Sequence, residues 1–204
     1  QLDDRYRPGD INAGSNKEMK IHTRILGPSW VQADQLELFA NGHRILTRDL
    51  RPTAKIEKAN LTFTLPRPAH DTHLIAIATG PGITEPFWES PRPYVPTTPK
   101  YTPRVQGATN PIFIDGDGDG KYNAPRKQAQ QLLTKHARDL NALFKALARY
   151  DRAVAAQAAA LLHQADHNLN APTLRRHWTR TPSTQAGFTA YLRTIKIKPD
   201  DSGN

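Results

Sequence analysis

Along the first half of the chain, apolar residues recur at every second position. Met19, Ile21 and Thr23 alternate with Lys20, His22 and Arg24, the period of a strand with one face in a core and the other in water. Gly27-Pro28-Ser29 ends that run. Next, Gln35 to Ala40 and His43 to Thr47 flank Asn41-Gly42, a pair that supplies the two positive φ angles of a type I′ hairpin turn. Leu61, Phe63 and Leu65 predict a fourth strand and residues 73–79 a fifth, with Gly80-Pro81-Gly82 as the turn after it. Residues 112–114 predict a closing strand. Short strands with turn signals about every ten residues indicate an Ig-like antiparallel β-sandwich over residues 18–114. Residues 1–17 are polar and aperiodic, with a Pro8-Gly9 turn signal, and read as a loop or linker.

After residue 123 the apolar spacing changes to that of a helix. Ala129, Leu132, Leu133, His136, Ala137, Leu140, Phe144 and Leu147 share one stripe, opened by Pro125 where a first helical turn tolerates proline. Asp151 is placed to cap a second helix with Val154, Ala158, Leu161 and Leu162 on one face. Asn170 with Pro172 predicts a shorter helix through Trp178, and Ser183 caps a last one carrying Phe188, Tyr191 and Leu192. Residues 125–204 therefore read as a small helical bundle, similar in its paired alanine-rich helices to a HEAT repeat. The expected fold class is mixed β and α in separate regions, joined by a loop at 115–124.

Composition sharpens this division. Residues 1–120 hold fourteen Lys/Arg and fourteen Asp/Glu, whereas residues 121–204 hold fourteen against five, so the helical region carries the whole net charge of +9. From Pro81 to Pro103 run seven prolines with Phe87, Trp88, Tyr94 and Tyr101, expected to lie extended across the sandwich with the rings as anchors. The chain has no cysteine, which excludes disulfides and thiolate metal sites. No apolar run approaches the ~20 residues of a membrane-spanning helix. Gln1 is expected to be a cleavage product or the edge of a longer gene product, and the location periplasmic or secreted, with the cytoplasm left open.

The loop carries the clearest chemistry. Calcium takes six to eight oxygens, and calcium loops place carboxylates at positions 1, 3 and 5, glycine at 6 and a backbone carbonyl at 7. Asp115, Asp117, Asp119, Gly120 and Lys121 occupy those places, with Asn123 at position 9. Position 12, where a bidentate acidic residue belongs, is Arg126. The expected cofactor is calcium, held without that ligand and preceded by a strand, not by a helix.

Gly27-Pro28-Ser29-Trp30-Val31, Leu36-Glu37-Leu38-Phe39-Ala40-Asn41-Gly42, and Ala108 through Asp115 with its acidic loop follow one another in the order found in one family. In these pieces, over residues 18–126, the chain resembles the C-terminal, non-catalytic region of PHP-type metallohydrolases of the CehA/McbA kind. The catalytic PHP domain uses a His-x-His metal motif, which is absent here, so the resemblance implies an accessory region and no catalytic residue is transferred.

Other signals are weaker. His163 and His167 lie at i and i+4 without the glutamate of a zincin, and His70-Asp71-Thr72-His73 reads as a turn before a strand. Arg175, Arg176 and Arg180, clustered around Trp178, form the candidate surface for a protein partner. The expected function is a non-catalytic, calcium-stabilised accessory or assembly module, a subunit or processed piece of a larger exported protein or complex. The alternatives are a binding module for an acidic polymer, nucleic acid or glycan, using the basic helices or Trp88, Tyr94 and Tyr101, and a hydrolase with an unrecognised site.

Overall fold

A computed structural model describes residues 1–83 and 102–196. The chain divides into two compact units, one of residues 1–68 and 72–120, the other of residues 69–71 and 121–204. The expected strap of aromatic and proline residues lies, but for its ends, outside the described residues.

The first unit is built from two sheets. In the smaller, β2 (Glu18–Leu26) pairs antiparallel with β5 (Glu57–Pro66), and Ile21 stands opposite Phe63. The alternation predicted from sequence is realised, with Met19 and Ile21 buried and Lys20 exposed. The larger sheet has the order β1 (Ile11–Asn12), β8 (Ile112–Ile114), β6 (Thr72–Pro81), β3 (Gln35–Ala40) and β4 (His43–Asp49), and β7 (Arg104–Ala108) pairs the far end of β6. Asn41 at φ 46° and Gly42 at φ 75° make the expected turn between β3 and β4. One core of buried residues joins the two sheets, with Met19, Ile21 and Phe63 from the smaller meeting Leu36, Leu38 and Leu74 from the larger.

Three local expectations change. The opening segment is part of the fold, not a linker: Leu2 is fully buried in this core, and β1 pairs in parallel with β8. Gly80 and Pro81 continue β6 and do not turn; a Cβ on Gly80 would lie 1.9 Å from the Gln32 carbonyl oxygen, so glycine admits that neighbouring backbone. The strand β7 had no alternation to announce it, because Val105 is its sole large apolar residue.

The second unit contains α1 (Pro125–Lys135), α2 (Leu140–Leu147), α3 (Arg152–Gln164), α4 (Pro172–Trp178) and α5 (Pro182–Lys196). The long apolar stripe is two helices. Asp139 adopts extended backbone and its carboxylate accepts the Ala142 N–H at 3.0 Å, which starts α2 afresh. Asp151 caps α3 as predicted, accepting from Ala153 and Val154. Asn170 does not cap α4, which follows Ala171 without a side-chain cap, and Ser183 lies inside α5, which begins at Pro182. Both α1 and α5 pack against α3. Ala155, Ala158 and Ala159 are fully buried there, and their small side chains let α5 approach at Gly187. Among the described residues, no helix is long and apolar enough to cross a membrane.

Candidate metal centre

The acidic loop begins where β8 ends, and the division between the two units falls inside it, between Gly120 and Lys121. Gly118 and Gly120 hold φ near +80°, a conformation that glycine adopts without strain and that folds the loop back on its first residue. Asp115, 3 % exposed, is that focus. Its Oδ1 accepts the N–H groups of Gly118 at 2.7 Å and Asp119 at 3.2 Å, and its Oδ2 accepts Gly120 N–H at 2.8 Å. Asp117 Oδ1 accepts Asp119 N–H at 3.3 Å.

Asp115 and Asp117 bring carboxylate oxygens within 4.8 Å of each other. Two unit charges at that separation repel by between about 1 and 4 kcal/mol over the range from water to a partly buried setting. Asp119 is exposed and stands outside this group of oxygens, so the structure gathers two of the three predicted loop carboxylates.

The floor of the loop is polar and tied down. Asp115 N–H donates to the Asn12 carbonyl at 3.0 Å, while Arg67 reaches the Asp115 carbonyl at 3.4 Å and the Asn16 carbonyl at 3.0 Å. Asn12, fully buried, accepts from Arg67 through Oδ1 and donates to Asp3 through Nδ2 at 3.1 Å. The residues read as a linker therefore hold the start of the loop.

Asp71, read from the sequence only as part of a turn, lies one residue before β6. Thr72 pairs with Ile114 across β6 and β8, so the chain enters that end of the sheet at Asp71 and leaves it at Asp115. Asp71 is 1 % exposed, and its Oδ2 accepts the N–H of Asn123, position 9 of the loop, at 2.7 Å. Gln128, from α1, donates to the carbonyls of both Asp71 (2.9 Å) and Asn123 (2.7 Å), fixing the second half of the loop. Tyr122 is half-buried; burial, and then the charges of Asp71 and Asp151, raise its phenol above the usual tyrosine value. The cation at position 12 is turned elsewhere, since Arg126 donates to Gln157 at 3.4 Å and Gln164 at 3.0 Å on α3.

The candidate partner surface needs one correction. Arg175, Arg176 and Arg180 are exposed as expected, but Trp178 is 5 % exposed and belongs to the core. Its ring stacks on Phe188 at 5.5 Å and its indole N–H donates to the Leu169 carbonyl at 3.0 Å, so it offers no apolar area beside the arginines. Between them sits His177, 4 % exposed and stacked on Phe144 at 5.5 Å, with no hydrogen-bond partner for Nδ1 among the described residues. Trp88, Tyr94 and Tyr101 lie outside the described residues.

Comparisons with protein-family models, curated proteins and solved structures return no match to this chain.

Proposed function

We propose that the chain is a non-catalytic accessory or assembly module, stabilised by a calcium ion in the Asp115–Asn123 loop. The observation that carries this reading is the buried Asp115 carboxylate, around which the loop folds its backbone and brings Asp117 alongside. In the reading, Asp115 and Asp117 give side-chain oxygens, Lys121 a backbone carbonyl, and Asp119 and Asn123 reach the ion directly or through water. Asp71 supports the second half of the loop by accepting the Asn123 N–H at 2.7 Å. The diversion of Arg126 to α3 removes the main electrostatic objection. The likeness to the accessory regions of PHP-type metallohydrolases supports the same class and an exported location. Within it, the β unit is an Ig-like sandwich, supported by a core shared between two sheets, and the helical unit is HEAT-like, supported by the packing of α1 and α5 on α3.

Calcium titration by calorimetry and terbium luminescence sensitised by Tyr122 test the site directly. The expected result is one saturable site, lost in the Asp115→Asn, Asp117→Asn double variant. No heat, no luminescence and a melting curve indifferent to chelator would end the proposal.

A second reading, binding of an acidic polymer or protein surface, rests on the exposure of Arg175, Arg176 and Arg180. It predicts salt-sensitive retention on heparin that Arg175→Ala with Arg176→Ala weakens while the melting temperature stays unchanged. Equal retention of variant and parent would leave these arginines as solvated surface.

A further inference from the structure

Cations are met differently in the two units. In the β unit Lys20 pairs with Asp4 at 3.1 Å, Arg24 with Glu57 at 2.6 Å, Arg44 with Glu37 at 2.6 Å and Arg104 with Asp34 at 3.0 Å. In the helical unit Lys135, Arg138, Arg175, Arg176 and Arg180 are exposed. None of these five side chains makes an ion pair or hydrogen bond among the described residues. They gather where α2 joins α1 and α4. Both helices contact α2, and Phe144 of α2 stacks on His177 of α4 at 5.5 Å. The charges of Arg180, Arg176 and Asp139 all act on the buried His177 ring, so the end of α4 and the start of α2 stand side by side there. Arg138 directly precedes Asp139, and Lys135 ends α1 just before it. Asp139 stands among these cations, and its carboxylate caps α2 by accepting the Ala142 N–H at 3.0 Å.

The surroundings of these cations narrow the partner. Protein interfaces centre on buried apolar or aromatic side chains, with charge at the rim. Here the aromatic rings are withdrawn: Phe144, Trp178 and Phe188 belong to the core, and Tyr150 and Tyr191 pack against it. Leu140, at 37 % exposure, is the one large apolar residue exposed on this unit among the described residues. The surface therefore attracts by charge and lacks an apolar anchor for a protein. It also lacks the aromatic platform on which the bases of a single strand stack. Recognition of an RNA duplex leans on 2′-hydroxyl contacts across its minor groove. Five cations, four of them arginine with a planar fork that matches phosphate, meet a phosphate backbone and nothing more, which suits duplex DNA.

We propose that Lys135, Arg138, Arg175, Arg176 and Arg180 form a surface that binds the phosphate backbone of double-stranded DNA without reading its sequence. Binding releases the counterions condensed on the duplex, and it gives partners to cations that have none among the described residues. The surface extends the one on which the second reading above rests, and duplex DNA narrows that reading to a single polymer. It is independent of the metal loop.

The test is fluorescence anisotropy of the full chain with short labelled DNA duplexes of two unrelated sequences, over a series of salt concentrations. Both duplexes should bind alike, with log K falling linearly against log salt. Arg175→Ala with Arg176→Ala should make that slope shallower by about 2 and weaken binding about tenfold at about 0.1 M salt. Arg175→Lys with Arg176→Lys, which keeps the charge, should stay within about twofold of the parent. Arg44→Ala removes a cation already paired with Glu37 and should leave the slope unchanged. Should the first variant fail to fold, Lys135→Ala with Arg138→Ala carries the same expectation. Absence of duplex binding, or a slope that the alanine variants leave unchanged, overturns the proposal. So does tighter binding of a single strand or an RNA duplex, and so does equal binding of polyglutamate, which assigns the surface to an acidic protein. Heparin retention weakened in Arg175→Ala with Arg176→Ala, without duplex binding, overturns the duplex and leaves the second reading standing. Heparin retention equal in variant and parent overturns both.

Discussion

Asp117→Asn separates a metal ligand from a structural acceptor. The substitution preserves shape and leaves an amide oxygen for the Asp119 N–H, which Asp117 now accepts at 3.3 Å. Without metal, the loss is the charge assistance to that exposed hydrogen bond, at most about 1 kcal/mol. Relief of repulsion among the loop carboxylates opposes that loss, so the calcium-free melting temperature should move by only a few degrees. Calcium changes the balance. At a free concentration 100-fold above Kd it stabilises the parent by about 2.7 kcal/mol. A tenfold weaker site at the same concentration retains about half of that, a deficit of about 1.3 kcal/mol. For a unit of this size, such a deficit corresponds to roughly 5 °C or more. The assay is thermal unfolding of parent and variant, each in chelator and in the same excess calcium. The expected pattern is near-equal midpoints in chelator and a clear gap in calcium. Equal calcium shifts in both proteins would show that Asp117 only ties the loop to Asp119 and does not ligate. A parent midpoint that ignores calcium would refute the metal itself.

Two further predictions concern the helical unit. Gly187→Ala, which on an exposed helix gains about 1 kcal/mol, should here cost about 1–3 kcal/mol, because the new Cβ would lie 2.5 Å from Ala155 Cβ and 2.6 Å from the Arg152 carbonyl oxygen; denaturant unfolding followed by helical circular dichroism checks it, and an unchanged or raised midpoint would show that α3 and α5 are less closely packed. His177 is held below the ordinary histidine value of 6.5, first by burial and then by Arg180 and Arg176, with Asp139 opposing. The unfolded chain then takes up the proton more readily, so the neutral ring's contribution is fully present above about pH 6.5 and is lost as pH falls from there toward the lowered folded value. His177→Phe, which keeps the stack on Phe144, should flatten the loss of stability as pH falls below about 6.5, and an identical pH profile in variant and parent would refute the assignment.

What could be read from sequence was what is local. Asn41-Gly42 fixes its own turn and therefore its hairpin, and Asp151 caps the helix that follows it within three residues. The loop was legible for the same reason, since its carboxylates and glycines alternate within one stretch. Long-range pairing was not. Ile11 and Asn12 carry no strand period of their own and become a strand because Phe113 and Ile114 lie beside them. Leu2 enters a core through a bridge to Ile21 that no nearby residue announces. The helical stripe from Ala129 to Leu147 kept its period through the break, and the break is set by one side chain, Asp139. Trp178 misled because arginines surround it in sequence, whereas a helix turns by about 100° per residue, so residues two apart fall on opposite sides. Arg175 and Arg176 face solvent while His177 and Trp178 face the core.

Asp71 is an instructive omission, since its contact to the loop is long-range: it accepts the Asn123 N–H from a place one residue before β6. Calcium loops close the coordination sphere with an acidic residue at position 12, and in this chain that place opens α1. A helix starting with Pro125 commits the next residues to a fixed direction, and Arg126 follows it toward Gln157 and Gln164. The loop's own carboxylates differ in how their charge is met: Asp115 is buried and has three backbone donors, whereas Asp117 is exposed and accepts the Asp119 N–H. On the proposed reading, backbone donors orient Asp115 and the ion neutralises it together with Asp117. Removing the ion should therefore loosen the loop before it disturbs either core, with amide exchange at Gly118 to Asn123 rising ahead of exchange in β6 or α3.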